Sequence, residues 1–252
     1  MCYFHKLNRI EFLVTLSCTG RCKHCSEGDH LSGAGGIDPE IASLTVYRLC
    51  KKFKIQSLMT FGGEPLLFPE TVCRIHSSAK EMGISQRQLI TNGFFSKEDH
   101  RIKEVAENLG KSGVNNILLS VDAFHQETIP LEPVKKFAAA IKEVGVSVRV
   151  HPAWLKGANA DNPYDKKTTE LVREFESLGI FASKGNRIFP AGNALKFLHE
   201  YFDPNEDYKN PYRQDPEDIR SVCISPNGDV LNGNIYRSDI LDILENYTPD
   251  LI

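Results

Sequence analysis

No stretch of the 252-residue sequence is long and apolar enough to cross a bilayer. The N-terminus, "MCYFHKLNRIEFLVTL", has no basic region followed by a long apolar run and a small-residue cleavage site. A cytoplasmic protein with no membrane partner is the expectation. Charge of one sign is also missing: 30 basic against 33 acidic side chains give a formal net charge of −3. That balance offers nothing to nucleic acid or to an anionic surface. There is no internal repeat, no low-complexity tract and no clear linker. The seven cysteines (Cys2, Cys18, Cys22, Cys25, Cys50, Cys73, Cys223) are an odd number with only three clustered, which excludes an ordinary disulfide framework. What is present, 41% hydrophobic and 25% charged residues, is ordinary for a globular domain of this length.

Periodicity predicts strands alternating with helices. Strands are expected at 9–16, 55–61, 87–93, 115–124, 146–154 and 180–190. Helices are expected at 38–53, 69–83, near 97–109, at 133–144 and near 168–178, with Asp38 as N-cap, Pro39 in the first turn and Gly83 as a terminator. Six such units predict a parallel sheet, doubly wound or curved into a barrel. Alternation favours the barrel. In the fourth strand Ile117, Leu119 and Val121 share one face, and Asn116, Leu118, Ser120 and Asp122 the other. In the fifth, Val146, Val148 and Val150 oppose Ser147, Arg149 and His151. An apolar back and a polar front suit a barrel, open on one side, with a polar ligand in its lumen. The expected class is α/β, a partial (β/α)6 TIM-like barrel with a short C-terminal hairpin and helix. The hairpin is expected over 221–236 around Asn227-Gly228, and the helix over 238–247 with Ser238 as N-cap. Residues 1–194 would form the barrel and 195–252 an extension closing it.

The unusual residues fall at the carboxyl ends of the strands, where ligands gather in either architecture. "TLSCTGRCKHC" follows the first strand and sets Cys18, Cys22 and Cys25 at C-x3-C-x2-C. Three thiolates make an incomplete tetrahedral set. Structural zinc with His24 or His30 as fourth ligand is one reading, although no second Cys/His pair follows at suitable spacing. A four-cysteine electron carrier needs a distant cysteine brought close by folding. A cuboidal iron–sulfur cluster held by three cysteines leaves one iron open to a small molecule.

The motif, in the loop after a first barrel strand, resembles the radical S-adenosylmethionine (radical SAM) superfamily. His24 matches a position that is commonly aromatic there and implies a place near the adenine. "GGEP" (Gly62, Gly63, Glu64, Pro65) is similar to the glycine-rich motif that meets the methionine amino group, and "TNG" adds Asn92 as a cofactor contact. "SVDAFH" resembles the fourth-strand ribose motif, with Ser120 and Asp122 implied as partners of the hydroxyls. "FPAGNA" resembles the sixth-strand segment whose backbone, at Pro190, Ala191, Gly192 and Asn193, reads the adenine edge. Arg149 is the candidate partner of the methionine carboxylate, with a barrel arginine bonded to a neighbouring acid as the alternative. The resemblance, spanning 9–194, implies one 4Fe-4S cluster and S-adenosyl-L-methionine as cofactors. It also implies reductive cleavage to a 5′-deoxyadenosyl radical, hydrogen abstraction from a substrate, and a reducing electron donor such as flavodoxin or ferredoxin.

"CISPNGDVLNGNIY" resembles a reduced form of the SPASM or twitch extension of peptide-modifying members, keeping Cys223 without further cluster cysteines. A peptide substrate is therefore expected, bound through a separate peptide-recognition protein or directly in the lumen, because the first strand begins within about ten residues of Met1. A small metabolite (nucleoside, amino acid or sugar) and a SAM-binding iron–sulfur sensor are the alternatives. Cys223 is either a buried packing thiol or a hydrogen-atom donor, while Cys50 and Cys73 read as helix packing residues.

Overall fold

The computed structural model describes residues 2–28 and 33–249; His30 lies outside them. Strands β1 (Arg9–Leu13), β2 (Ser57–Phe61), β3 (Gln86–Thr91), β4 (Asn116–Leu119) and β5 (Ser147–Val150) alternate with helices α1 (Pro39–Lys52), α2 (Pro69–Glu81), α3 (Asp99–Ser112), α4 (Ala123–Gln126) and α5 (Leu131–Glu143). There follow β6 (Ala153–Trp154), α6 (Pro163–Ser177), β7 (Asn186–Arg187), α7 (Gly192–Phe197), β8 (Ser221–Ile224), β9 (Asp229–Val230), β10 (Gly233–Asn234) and α8 (Ile240–Glu245). The main sheet has six strands in the order β5-β4-β3-β2-β1-β8, every pair parallel. No pairing closes it among the described residues, so the expected partial barrel is open on one side.

Helix boundaries follow local chemistry. Asp38 Oδ1 accepts from the amides of Glu40 and Ile41 ahead of Pro39, satisfying donors that no earlier carbonyl can reach. Alternate strand residues then divide between two environments. Ile10, Phe12, Ile117, Leu119 and Val121 are fully buried against helix residues such as Leu49, Ile75, Leu109 and Phe137. The intervening residues face the lumen and mix polar side chains such as Arg9, Glu11, Gln88 and Asn116 with apolar ones such as Phe61, Ile90 and Leu118. Arg9 pairs with Glu11 and donates to Gln88 Oε1 at 2.9 Å, and Arg149 Nη2 reaches Asn116 Oδ1 at 3.4 Å. These polar members of the front are what the period-two pattern required.

Three expectations need correcting. The segment 180–190 is not a strand of the main sheet: Ala182 makes one bridge to Val150, and only Asn186–Arg187 pair, with Ala153–Trp154. The sixth strand is instead β8, which lies on β1 with Glu11 opposite Cys223. Its residues Val222 and Ile224 are buried in the same core as the rest of the sheet. The turn at Asn227-Gly228 forms, with Gly228 at φ +87° and its amide bonded to Ser225, but β8 leaves it for β1 and the short antiparallel pair is β9–β10. Finally, α8 is capped by Asp239, which accepts from the Leu241 amide at 2.9 Å, rather than by Ser238.

Val121 points into the core, whereas its neighbours Ser120 and Asp122 border the cavity at the strand ends. Val121→Ala should cost about 1.5–3 kcal/mol of stability, read from the denaturation midpoint, with cofactor binding per folded molecule unchanged.

Candidate cofactor site

The loop after β1 is held by backbone contacts that leave no room for a side chain. The amides of Gly63 and Glu64 donate to the carbonyls of Thr15 and Ser17, each at 2.8 Å. Gly62 has φ +148°, and a Cβ there would lie 2.6 Å from the Thr15 carbonyl oxygen; one at Gly63 would lie 2.1 Å from that of Ser17. On the far side, the Asn193 amide donates to Cys25 O at 2.9 Å, and its Nδ2 to Gly28 O at 3.2 Å. Gly192 has φ +52°, and a Cβ there would come within 2.4 Å of Ser26 O. "GGEP" and "AGN" are thus two jaws on one loop, and glycine is required where backbone meets backbone.

Within that grip Cys18, Cys22 and Cys25 all border one cavity at the carboxyl ends of the strands. Burial pushes the Cys18 thiol up to about 11 and that of Cys22 further in the same direction, so a cluster bound here displaces protons from buried thiols. Donors are ready for a thiolate: the Gly20 amide lies 3.3 Å and Asn92 Nδ2 3.6 Å from Cys18 Sγ. One nitrogen each of His24 and His125 lies with Cys22 Sγ inside a 4.8 Å group that neither Cys18 nor Cys25 joins. A Cys3His zinc tetrahedron would draw all four ligand atoms to within about 4 Å of one another. Three sulfurs around one cavity, Cys22 buried and Cys18 and Cys25 half-buried, fit a cuboidal cluster with one open iron better.

The carboxylates serve the framework. Glu64 is fully buried, and burial raises its carboxyl to about 7. It accepts from Thr91 Oγ1 at 2.7 Å and from the amides of Leu66 and Asn92. Asp122 is also fully buried. Its Oδ1 accepts from the amides of Phe124 and His125, capping α4, and its Oδ2 from the Ala153 amide at 3.0 Å and His125 Nδ1 at 2.8 Å. Burial opposes its ionisation, but the charge and hydrogen bond of His125 more than offset this, and the net shift is downward. Burial also holds the His24 imidazole neutral, pulling it down to about 4; its ring packs 5.0 Å from Phe124 and 4.8 Å from His125.

The structure therefore brings together around the cavity the three cysteines, His24, Gly62, Gly63, Asn92, Ser120 and Asp122. Glu64 and Pro65 lie just behind it. Pro190, Ala191, Gly192 and Asn193 do not line it; Gly192 and Asn193 clasp the cysteine loop instead, so the adenine-reading expectation has no support from their placement. Arg149 is exposed and sits lower on the lumen wall, bonded to Asn116 and not to an acid. Cys223 is exposed on the lumen face of β8, and not packed beneath the turn. Sequence reasoning overlooked His125, His151, Arg187 and Tyr212, all of which border the cavity. The two histidines stand in motifs already singled out, "SVDAFH" and the polar face of β5. Tyr212 comes from a long polar loop that carries no local signal.

Gly192→Ala introduces a Cβ between two carbonyls at a positive φ, so it should lower iron retained after anaerobic reconstitution severalfold while the far-ultraviolet circular dichroism stays unchanged. Asn193→Ala, which removes the side-chain bond to Gly28 but keeps the backbone bond to Cys25, should do so less.

The sequence profile of the Radical SAM superfamily matches residues 12–161. Among curated proteins, the GTP 3′,8-cyclase of Aquifex aeolicus (strain VF5) is 29% identical over 186 residues, covering 69% of this chain and 54% of that one. Molybdenum cofactor biosynthesis protein 1 of Dictyostelium discoideum is 26% identical over 215 residues, covering 77% of this chain and 33% of the relative. The chain spans about half the length of the first of these relatives. Among solved structures, anSMEcpe with bound AdoMet superposes with a TM-score of 0.61 at 14% identity, covering 95% of this chain and 80% of that one. Streptococcus suis SuiB bound to S-adenosylmethionine also gives 0.61 at 14%, covering 97% and 67%. At such identity these structures establish the fold alone. The family's cofactors are a 4Fe-4S cluster and S-adenosylmethionine, and the three-sulfur site fits the first. A matched profile over more than half the chain, a partial barrel and three cysteines around one cavity at its mouth place this chain in the Radical SAM superfamily.

Proposed function

We infer that this chain is a radical SAM enzyme that modifies a peptide by hydrogen-atom abstraction. When bound, the cluster and SAM would supply a carbon-centred radical, and Cys18, Cys22 and Cys25 would hold the cluster. The chain's own residues exclude water from that end of the barrel and hold a substrate carbon within reach. The remaining lumen is polar yet locally neutral. On the lumen wall Arg9 is cancelled by Glu11, and Arg149 reaches the Asn116 side-chain amide. That supports a peptide over a nucleoside triphosphate, whose roughly four negative charges call for several convergent cations. The second reading, a nucleotide substrate, rests on the GTP 3′,8-cyclase relatives.

The observation that carries the peptide reading furthest is Cys223. Val222 and Ile224 are in the core, so Cys223 faces the lumen opposite Glu11. It is open to water-sized molecules yet ringed by protein, and burial, together with the charges of Glu11 and Glu27, pushes its thiol up to about 12. A hydrogen-atom donor must keep its S–H bond, and this setting keeps it. A substrate carbon radical formed on one face takes hydrogen from Cys223 on the other. The S–H bond breaks, a C–H bond of inverted configuration forms, and the thiyl radical is returned to thiol by one electron and one proton. A flavodoxin- or ferredoxin-type donor suits that task. The peptide is delivered by a separate recognition protein, and the setting is the reducing cytoplasm.

Anaerobic reconstitution should load about four irons and four sulfides, and replacing all three of Cys18, Cys22 and Cys25 by Ala should abolish loading. Stoichiometric zinc with no iron retained would refute the cluster assignment. With a peptide substrate in D2O, the product should carry one deuterium at the inverted carbon. Cys223→Ala should continue to release 5′-deoxyadenosine but lose that product. Deoxyadenosine release stimulated by GTP and by no peptide would overturn the peptide reading in favour of a nucleotide.

A further inference from the structure

The sheet ends at β8, and the chain itself closes most of that outer edge. Arg220 O accepts the Arg9 amide, and the register sets Arg9 against Ser221 and Glu11 against Cys223. In a parallel pair the main-chain groups facing β1 are therefore those of residues 220, 222 and 224, and those of Ser221, Cys223 and Ser225 point outward. The Gln214 side chain satisfies both groups of Ser221: its Oε1 accepts from the amide and its Nε2 donates to the carbonyl, each at 2.9 Å. The turn satisfies both groups of Ser225, whose amide donates to Asp229 O at 2.9 Å and whose carbonyl accepts from the Gly228 amide at 3.0 Å. Between them, no described residue bonds the outward amide or carbonyl of Cys223, and Cys223 is exposed.

An exposed sheet edge templates pairing with another chain, and proteins normally blunt it. Here the blunting leaves out one residue, the one whose thiol faces the lumen. The carboxamide of Gln214 has the donor and acceptor of a peptide group, and it already occupies the neighbouring position as a paired strand would. A second peptide group fits beside it. A whole strand from a second copy does not, because Gln214 and the Ser225 turn take the pairs on either side. A single residue in antiparallel pairing exchanges both bonds with Cys223, whereas parallel pairing spreads them over three residues. Its Cα then lies about 5.5 Å from that of Cys223, with its side chain on the same face of the sheet.

We propose that the peptide substrate docks on this edge, one of its residues pairing antiparallel with Cys223 through main-chain bonds. Backbone register then chooses which carbon meets the thiol. The paired residue must carry an N–H, so proline and N-alkylated residues are excluded at that one position. Strand addition of this kind draws affinity from main-chain bonds and leaves side chains to set specificity. The proposal rests on the peptide reading and adds to it the place and geometry of binding.

The test uses reconstituted protein with SAM and, as probe, a pool of acetylated octapeptides of random sequence. Retained sequences are read by mass spectrometry and resynthesised. Cys223→Ala keeps the edge amide and removes the thiol, and should bind a retained octapeptide as the native protein does. Cys223→Pro deletes the N–H where the sheet itself does not use it, and should weaken binding about tenfold. N-methylation walked along the octapeptide should cost a similar factor at one position and little at the others. Equal binding by the proline and alanine variants, or a flat methylation scan, overturns the edge proposal while the peptide reading survives. Loss of binding in Cys223→Ala places the contact on the side chain and also overturns it. Retention of no octapeptide overturns both readings. Should Cys223→Pro fail to load iron, Gln214→Ala is measured instead. It opens the Ser221 pair, and should tighten binding severalfold and add a second sensitive methylation position. Unchanged affinity in that variant overturns the proposal.

Discussion

The site depends on backbone approaching backbone around residues 15–28. Carbonyls of Thr15 and Ser17 meet the glycines of "GGEP", and carbonyls of Cys25 and Ser26 meet Gly192 and Asn193. At Gly62, Gly63 and Gly192 the approach is closer than a Cβ permits. A loop carrying three metal-binding thiols cannot be stabilised by a packed core of its own, so its order comes from elements far away in sequence. That explains why two glycine motifs, separated by about 130 residues, both converge on the cysteines.

Polar groups in the same region form a supporting layer instead of a row of ligand contacts. Glu64 ties the second strand end to the third through Thr91 and Asn92, and Asp122 ties the fourth to the fifth through Ala153. Buried carboxylates are tolerated there because every oxygen has donors, several of them backbone amides at strand ends that no sheet neighbour satisfies. The groups facing the cavity include the histidines, Ser120, Asn92 and Tyr212, together with Glu27, Asp122 and an Arg187 that is paired with Glu206.

Below the cavity, the lumen wall mixes Arg9, Glu11, Gln88, Asn116 and Cys223. β8 is what brings Cys223 to that wall. Because the strand joins β1 in parallel, it turns Val222 and Ile224 to the core, and the thiol must face the lumen. A hairpin paired with itself over 221–236, as local turn chemistry suggested, would not have laid Cys223 opposite Glu11.

The order of strands and helices, the polar front and apolar back of the sheet, the three-cysteine motif and its companion glycines were all legible in the sequence. Each is written in local periodicity or in short spacing, which tertiary packing does not alter. The sixth strand was misplaced because 180–190 and 221–224 are equally strand-like on their own. Only the free edge of β1, created by folding, selects between them. The role of Asp122 was hidden for a similar reason: an aspartate after a strand reads as a ligand contact until the donors around it are counted, and the Ala153 amide comes from another strand. His125 stood in plain view within "SVDAFH", but its place at the cavity wall depends on its bond to the buried Asp122. Chain-local chemistry determined the kind of site this is; the pairing of distant edges and the sharing-out of buried hydrogen bonds decided which side chains face it.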